Sequence, residues 1–561
     1  MEFMEKYGIW RDSKIIDEAT RAELLGIADD SGEIQERFYR DLEFGTGGLR
    51  GIMGAGTNRM NVYTIRRAAL GLAEYILANE PRGRQMGVVI AHDSRRNSPL
   101  FALEAALTMV SAGIRVYLFD SLRPTPVLSF AVRHLGCTAG VVITASHNPP
   151  EYNGFKAYWA DGGQIPYPRD EEVIGYVNRI NDMSRLAISA NDAALAGGLL
   201  ITPDESVDEA YYSAVLARKR DQAAIDSAGL KIVYTPLHGA GNIPTRTVLA
   251  RAGFADVFVP EAQADPDPDF TTVSYPNPED PKAFALGLAL GAKMGADIII
   301  ANDPDADRVG AMAAHNGEFV GLTGNELGVL MTHYLLNRHK EQGDMPENPA
   351  IVSTIVSTNL TRAIAEDFGA AYFEVLTGFK YIGEKMTNWE QTKEHSYVFG
   401  FEESIGFLPG DYARDKDAVA ASLLICEMAA HYKAQGLTLI DAMNKLLEKY
   451  GYHYDYNISI TKTGMEGAAQ IRHIMEDLRK NPPADIGGIS VAAVRDYRPG
   501  YGGLPPSDVL YYELADNSWF CIRPSGTEPK IKIYCGVIGE NPTHAAQKAR
   551  DLADLIVSVI N

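Results

Sequence analysis

Short apolar segments alternate along most of the chain with longer segments whose apolar residues recur at helical spacing. The first such series begins near residue 61. It predicts a helix at 64–79, a strand at 87–92, a helix at 98–112, a strand at 115–119, a helix at 125–135 and a strand at 141–144. Helices and strands in this order are typical of a doubly wound mixed sheet, in which ligands bind at the carboxyl ends of the strands.

Two further series have the same character. The second predicts a helix at 207–223, a strand at 231–235, a helix at 244–252, a strand at 257–259, a helix at 281–294 and a strand at 296–301. The third predicts a helix from 327, a strand at 350–356, a helix from 360 and a strand at 371–375. Three comparable α/β series indicate an internal structural repeat, although no sequence repeat is plain to the eye.

The two ends of the chain differ from this pattern. The first forty residues predict amphipathic helices at 17–25 and 33–39. The carboxyl-terminal part predicts strands at 456–461, 508–514, 519–522 and 531–537, with helices at 467–479 and 543–559. We therefore expect three similar α/β domains with mixed sheets, at 1–205, 206–323 and 324–450, followed by an α+β domain at 451–561. A chain of 561 residues is long enough for several domains.

Composition narrows the class of protein. The chain is 46% hydrophobic and 22% charged, as in folded globular proteins, and it has no apolar run of the roughly 18 residues that a membrane span needs. Its amino terminus lacks the apolar segment of a signal peptide, so we expect a cytoplasmic protein without a membrane partner. The four cysteines show no C-x-x-C spacing and are interpreted as core thiols.

The formal net charge of −21 argues against nucleic acid as a partner, because most of the surface would repel a polyanion. A small anionic substrate is still compatible with this charge. It would require a local cluster of arginine and lysine side chains that overrides the field of the whole chain.

Ser146 is the first candidate for chemistry. It follows the predicted strand at 141–144, and Pro149 and Pro150 restrict the backbone just beyond it. This arrangement predicts a hydroxyl that is held rigidly and exposed at a strand end, which suits a nucleophile. Taken alone, the Ser-His-Asn tripeptide is also compatible with local capping.

Two D-x-D-x-D loops are candidates for a metal site. One comprises Asp303, Asp305 and Asp307 and directly follows a predicted buried strand. The other comprises Asp265, Asp267 and Asp269 and lies in a proline-rich connector. We favour the first loop, because carboxylates held close together repel one another unless a divalent cation is bound, and hard oxygen ligands suit Mg²⁺. A solvated acidic turn is the alternative for each loop.

Two other stretches have the composition of phosphate-binding loops. The stretch FGTGGLRG is rich in glycine and contains Arg50, whose guanidinium can bind phosphate. The stretch RPSGTEPK begins at Arg523 and combines a guanidinium with two hydroxyls and a glycine. A flexible loop and a simple turn, respectively, are the alternatives.

Four motifs in order resemble those of the α-D-phosphohexomutase superfamily, the phosphoglucomutases and phosphomannomutases. They are TASHNP with Ser146, DPDADR at 303–308, GFEESIGF with Glu402 and Ser404, and RPSGTEPK from Arg523. The match covers essentially the whole chain. FGTGGLRG, TGFKYIG and the DPDADR spelling are most similar to the branch that holds bacterial α-phosphoglucomutases and the phosphoglucomutase-2 or phosphopentomutase type.

The resemblance implies four domains around a central cleft, an active-site phosphoserine at Ser146 and sugar phosphates as substrates. It implies a Mg²⁺ ion held by Asp303, Asp305, Asp307 and the phosphoserine oxygen. Sugar hydroxyls would contact Glu402 and Ser404. The remaining implied residues are Arg523, Ser525, Gly526 and Thr527 at the phosphate that does not react, Arg50, His147, Lys156 and Arg308 around the transfer point, and Thr377, Gly378 and Lys380 near the substrate. Lys380 is also compatible with a role in packing only.

For the general base we name Lys156 first and keep His147 as an auxiliary; a lysine that only neutralises phosphate and a histidine that only orients the loop are the alternatives. Lys156 occupies the position that the family favours, but it would need a pKa lowered by about three units from ~10.4. A crowd of cations such as Arg50 could partly cause that shift. His147 needs no such shift.

The activity implied is that of an intramolecular phosphotransferase, a phosphoglucomutase that interconverts α-D-glucose 1-phosphate and glucose 6-phosphate. Glucose 1,6-bisphosphate would be both the intermediate and the activator. Phosphopentomutase and phosphomannomutase activities remain open, as does a sugar-phosphate phosphatase. A catalytically silent sugar-phosphate-binding regulator is disfavoured, because the serine and all three aspartates are present. Either a monomer or a homodimer is compatible with the sequence.

Overall fold

The computed structural model describes residues 2–42, 48–188, 197–462, 464–525 and 530–560. Two predicted site residues, Gly526 and Thr527, lie outside these ranges, as do residues 44–47 of the glycine-dense stretch. Within the described helices, none combines the length and the apolar character needed to cross a membrane.

The first sheet has six strands in the order β1-β5-β4-β2-β3-β6. They are β1 (Leu49–Ile52), β2 (Val88–His92), β3 (Val116–Leu118), β4 (Ala139–Ile143), β5 (Tyr152–Trp159) and β6 (Leu200–Ile201). The accompanying helices are Val62–Asn79, Gly83–Met86, Ser98–Ser111, Thr125–His134, Arg169–Asn178 and the 3₁₀ turn Met183–Leu186. Before the sheet, helices Phe3–Asp12, Glu18–Gly26 and Ser31–Phe38 form a small core together with Ala55, Tyr63, Ile180 and Leu186 of the first region.

The second sheet has five strands in the order β11-β10-β9-β7-β8. They are β7 (Lys231–Thr235), β8 (Asp256–Phe258), β9 (Ile298–Asn302), β10 (Val309–His315) and β11 (Glu318–Leu322). The helices are Ser206–Leu216, Gln222–Ala228, Asn242–Ala252, Glu261–Ala264, the 3₁₀ turn Pro281–Phe284 and Ala285–Met294.

The third sheet has four strands in the order β13-β12-β14-β15. They are β12 (Pro349–Thr354), β13 (Ala371–Val375), β14 (Ser396–Glu402) and β15 (Gly406–Pro409). The helices are Gly324–Gln342, Leu360–Asp367, Phe379–Thr392, Ala418–Ala434 and Leu439–Tyr450.

The carboxyl-terminal sheet is antiparallel, with six strands in the order β16-β21-β20-β19-β18-β17. They are β16 (Tyr452–Thr461), β17 (Asp485–Ile486), β18 (Ile489–Asp496), β19 (Leu510–Leu514), β20 (Trp519–Pro524) and β21 (Lys530–Gly539). Helices Gly464–Lys480 and Pro542–Ile560 accompany it. The predicted fold class, three α/β regions and an α+β region, is confirmed.

The three α/β sheets share one topology, which confirms the predicted repeat. In each, three parallel strands lie in the order β4-β2-β3, β9-β7-β8 or β14-β12-β13. An antiparallel strand, β5, β10 or β15, pairs with β4, β9 or β14, respectively. The turn into that strand contains a non-glycine residue with left-handed φ, namely Ser146 at 52°, Ala306 at 50° and Ile405 at 54°. The Ser146, DPDADR and GFEESIGF motifs therefore occupy equivalent turns.

Some predictions of elements were wrong. Nine of the described strands were not predicted, namely β1, β5, β6, β10, β11, β14, β15, β17 and β18. The predicted helix at 207–223 is two helices, because the chain leaves the helical path after Leu216 and Asp221 caps a new helix at Gln222 through the Ala224 N–H. The domain boundaries after residues 205, 323 and 450 stay predictions.

A buried helix holds the second and third regions together. Helix Ala418–Ala434 is buried on all sides from Ala418 to Ala430, which matches the mostly apolar sequence of this segment. It contacts helices Gln222–Ala228 and Asn242–Ala252 of the second region and strands β9 and β10. The second and third sheets consequently share one hydrophobic core.

Candidate active site

The turn that contains Ser146, called the serine turn, is in direct contact with the turn at 303–308, called the acidic turn. The Ser146 hydroxyl donates to Asp303 Oδ2 at 2.7 Å, and its oxygen lies 3.1 Å from His147 Nδ1. Ser146 is only 3% exposed, so the prediction of an exposed serine was wrong. The strand-end position was correct, but the turn of the second sheet packs against the hydroxyl and covers it.

Asp303, Asp305 and Asp307 form the acidic cluster that the sequence favoured. All three are buried, and one carboxylate oxygen of each lies within 4.8 Å of the others. Lys156 Nζ donates to Asp305 at 2.8 Å and to Asp307 at 3.1 Å. Lys416 Nζ lies 3.2 Å from Asp307. Two buried oxygens, Asp305 Oδ1 and Asp307 Oδ1, have no hydrogen-bond partner among the described residues.

The electrostatics of this cluster fit a bound cation. Burial, together with the charges of Asp305 and Asp307, raises the pKa of Asp303 well above its ordinary value. Burial also raises the pKa of Asp307, but Lys156 and Lys416 outweigh that effect and hold it well below its ordinary value. A divalent ion would take up the orphaned carboxylate oxygens and relieve the repulsion. The donor set therefore fits a metal with a preference for oxygen.

In the second acidic loop, at 265–269, a carboxylate forms local hydrogen bonds with the backbone. Asp267 accepts hydrogen bonds from the Asp269 N–H at 3.0 Å and from the Thr271 N–H at 2.9 Å. Its carboxylate is thus used to form a turn. Among the described residues, the group that could hold a metal is the one at 303–307.

Residues of the first and third regions form hydrogen bonds that hold the acidic turn in place. Thr125 in the first region donates through its hydroxyl to Asp305 Oδ2 at 2.8 Å and through its N–H to the Asp305 carbonyl at 2.9 Å. The Ala418 N–H of the third region donates to the Ala306 carbonyl at 3.1 Å. Sequence reasoning missed Thr125 and Lys416, because neither carries a local signal of contact with residues more than a hundred positions away.

The two candidate bases differ in charge. Burial lowers the pKa of Lys156, but Asp305 and Asp307 outweigh burial, and the net shift is upward. That direction is opposite to the one a lysine base requires. Burial lowers the pKa of His147 well below its ordinary value, and Arg308 and Arg50 add to the effect. His147 is therefore the neutral group beside the serine, and its ring packs edge-on against Tyr275 with centroids 5.8 Å apart.

The predicted cations surround the serine turn. Strand β1 carries Arg50 and pairs with β5, which carries Lys156. Arg50 Nη1 donates to Asn148 Oδ1 at 2.9 Å. Arg308 Nη1 lies 3.5 Å from Glu279 Oε2 at the other side of the acidic turn. The local cluster of cations that the acidic chain requires for an anionic substrate is therefore present.

The predicted sugar-binding stretches meet in the third region. Glu402 is buried and accepts a hydrogen bond from the Gly378 N–H at 2.8 Å. Gly378 has a φ of 126°, which favours glycine there. Burial and the neighbouring Glu402 raise the pKa of Glu403 to about 7. Ser404 is half-buried in the same turn, and the buried Thr377 hydroxyl has no partner within the described ranges.

Lys380 forms an ion pair away from the other predicted sugar-binding residues. Its Nζ donates to Asp170 Oδ2 at 2.9 Å, and the residue is buried. This ion pair joins the third region to the first. The contact with a substrate phosphate stays a prediction.

The phosphate-binding stretch lies on the carboxyl-terminal sheet. Arg523 on β20 stands opposite Lys532 on β21, and the Ser525 N–H donates to the Lys530 carbonyl at 2.7 Å. Lys532 is exposed, and its register places a second positive charge beside Arg523. Sequence reasoning missed Lys532; the alternation along β21 was its only signal.

Gly239 offers a test of the acidic turn. A Cβ there would lie 2.6 Å from the Pro304 carbonyl oxygen and closer still to Pro304 Cα, so Gly239→Ala must displace the backbone next to Asp303. Overpacking of this kind costs about 1–3 kcal/mol. We expect the Kd for Mg²⁺ to rise about tenfold, measured by isothermal titration calorimetry.

Gly175→Ala is the matched control, because a Cβ at that helical position meets nothing within 4 Å. Equal Mg²⁺ affinity in both variants would contradict the placement of the metal.

Comparison with known proteins agrees with this geometry. Models of phosphoglucomutase/phosphomannomutase α/β/α domains I, II and III match residues 41–183, 209–317 and 323–450. A phosphoglucomutase of Staphylococcus haemolyticus (strain JCSC1435) is 37% identical over 525 residues, covering 91% of this chain and 93% of that protein. A phosphoglucomutase of Staphylococcus aureus (strain MSSA476) is 37% identical over 532 residues, covering 92% and 93%.

Solved structures share the fold. A putative phosphomannomutase from Thermus thermophilus superposes with a TM-score of 0.69 at 24% identity, covering 93% of this chain and 99% of that one. Parafusin, a phosphoglucomutase from Paramecium, superposes with a TM-score of 0.67 at 16% identity, covering 92% and 96%.

Proposed function

We propose that this chain, which belongs to the phosphoglucomutase/phosphomannomutase family, interconverts α-D-glucose 1-phosphate and glucose 6-phosphate. The resemblance expected from the four motifs is confirmed by the family match over three regions. The observation that carries the proposal is the Ser146 hydroxyl, 2.7 Å from a carboxylate of the buried acidic cluster. Relatives named phosphoglucomutase, 37% identical over most of the chain, support glucose as the sugar.

In the proposed reaction Ser146 carries a phosphoryl group. A sugar hydroxyl attacks the phosphorus, the bond to Ser146 Oγ breaks, and the hydroxyl proton passes to a base. The sugar bisphosphate then reverses its orientation in the site. Ser146 Oγ accepts the phosphoryl group from the other end of the sugar. No phosphate is lost to water, and glucose 1,6-bisphosphate is both the intermediate and the activator.

Asp303, Asp305 and Asp307, with an oxygen of the phosphoserine, would hold Mg²⁺. When bound, the ion neutralises charge on the transferring phosphoryl group. Lys156 and Lys416 contact Asp305 and Asp307 and keep the net charge of the cluster low. Arg50 and Arg308 bring positive charge to the transfer point.

His147 is supported as the base by its neutral state and its 3.1 Å distance from the serine oxygen. Lys156 can serve only after it loses its proton, which its contacts with Asp305 and Asp307 oppose. Both residues stay candidates, and Lys156 is the one that the family position favours.

The substrate has two ends and one ring. Glu402 and Ser404 would bind ring hydroxyls, which sit similarly in both orientations of the sugar. Arg523, Ser525, Gly526 and Thr527 would hold the phosphate that does not react, with Thr377, Gly378 and Lys380 nearby. We also propose a cytoplasmic location, and the choice between a monomer and a homodimer stays a prediction.

The test of the function is a side-by-side assay of glucose, mannose and ribose 1-phosphates, with and without glucose 1,6-bisphosphate. We expect glucose 1-phosphate to be the best substrate and the bisphosphate to raise the rate. A preference for ribose 1-phosphate would indicate a phosphopentomutase, and one for mannose 1-phosphate a phosphomannomutase. Release of inorganic phosphate without a bisphosphate requirement would indicate a phosphatase.

Ser146→Ala should lower turnover more than about 10³-fold, because the covalent carrier of the phosphoryl group is lost. Sugar-phosphate binding, measured by calorimetry, should survive. Ser213→Ala, at an exposed helical serine, is the control and should keep full activity. Turnover that is unchanged in Ser146→Ala would refute the assignment of the nucleophile.

Glu402→Gln should change the ratio of kcat/KM between glucose and mannose 1-phosphates by about tenfold. Its Mg²⁺ affinity should change less than that. The fold around it should be kept, since the amide oxygen can still accept the Gly378 hydrogen bond. Asp305→Asn should show the reverse ranking, and the same ranking in both variants would contradict the roles given to the two turns.

A further inference from the structure

The backbone of the serine turn converges on one guanidinium group. Arg95 Nη2 donates to the carbonyl oxygens of Ser146 and Asn148, and Nη1 donates to those of Pro149 at 2.8 Å and Tyr152 at 3.2 Å. Arg95 is only 1% exposed. These four contacts fix the backbone of the turn, and in this conformation the Ser146 hydroxyl points toward Asp303.

The other side of the Ser146 peptide is bonded to the same unit. The Ser146 N–H donates to Thr144 Oγ1 at 2.8 Å, and the Thr144 hydroxyl donates to Asp93 Oδ2 at 2.7 Å. Asp93 Oδ2 also lies 3.2 Å from Arg95 Nε. Ser146 has a left-handed φ of 52°, a conformation that costs a non-glycine residue of the order of 1–3 kcal/mol. These bonds are what stabilises it.

The second region covers this unit with Phe270. The Arg95 guanidinium carbon lies 5.0 Å from the centroid of the Phe270 ring, and Phe270 is fully buried with a φ of 49°. Phe270 directly follows Asp269 in the second acidic loop. The Asp267 carboxylate stabilises a turn there by accepting the Asp269 N–H. Asp269 in turn pairs with Arg96. The second acidic loop therefore docks on the serine turn.

We propose that Arg95 and Phe270 are positioning residues for the nucleophile. Arg95 holds the serine turn in the conformation that directs Ser146 Oγ toward the acidic cluster. Phe270 makes that conformation depend on the docking of the second region, which carries the metal ligands. The kinetic part of this inference rests on the proposed function.

Lysine cannot replace this arginine. A guanidinium has five donors in one plane and an aromatic-stacking face, whereas an ammonium group is a point charge with three donors. Arg95→Lys would keep the charge beside Asp93 but could not span four carbonyls and the Phe270 ring together. Phe270→Leu keeps most of the apolar volume and removes the aromatic face. The matched control is Arg82→Lys, because it makes the same substitution in the same region at an arginine that is exposed.

The first measurement is kcat and KM of each variant with glucose 1-phosphate, together with the Kd for Mg²⁺. We expect kcat to fall about 100-fold in Arg95→Lys and about tenfold in Phe270→Leu, because small misplacements of a reacting group have such effects. KM and the Kd for Mg²⁺ should stay within about threefold of the parent, and Arg82→Lys should match the parent throughout. A kcat for Arg95→Lys within threefold of the parent, or losses spread equally over KM and metal affinity, would overturn the proposal.

The second measurement does not need mutase activity. Hydrogen exchange of the peptide covering 140–152, followed by mass spectrometry, should accelerate at least about tenfold in Arg95→Lys and Phe270→Leu but not in Arg82→Lys. Exchange in strand β19 should be unchanged, which excludes general unfolding. Unchanged exchange of the serine turn would overturn the positioning role even if the chain proves to be a mutase. Accelerated exchange in a chain without mutase activity would support the positioning role and refute the proposed function.

Discussion

Mutual repulsion among three buried carboxylates is the constraint on which this structure depends. Asp303, Asp305 and Asp307 could not stay buried and close together without positive charge beside them. Lys156 supplies it from the first region and Lys416 from the third, and the unpartnered oxygens fit a metal ion. The charge balance of the site thereby stabilises the packing of three regions around it.

The repeated topology explains how these parts come to lie together. Each α/β sheet ends its parallel series with a strand that turns directly into an antiparallel neighbour, and each turn contains a left-handed residue. One turn presents a hydroxyl, one presents carboxylates and one presents Glu402. The three turns occupy the same structural position, so motifs roughly 100 to 160 residues apart in sequence become candidates for one site.

The charge of the whole chain and the charge of the site have opposite signs. The net charge is −21, yet Arg50, Lys156, Arg308 and Lys416 gather around the serine and acidic turns. An anionic substrate would be attracted only close to this cluster, because long-range fields are screened over about 8–10 Å in salt. The local arrangement of charge therefore matters more to binding than the composition does.

Sequence by itself determined the fold class, the order of most helices and strands, and the places of Ser146 and the acidic turn at strand ends. These features follow from periodicity and turn chemistry, which act over a few residues. Only the tertiary structure decided that Ser146 is buried, that Lys156 has a raised pKa and that Lys380 pairs with Asp170. It alone decided the antiparallel strands β5, β10 and β15 and the contacts of Thr125, Lys416 and Arg95. Each of these depends on the packing of another segment against the residue concerned, and local patterns of apolar and polar residues carry no information about which distant segment that will be.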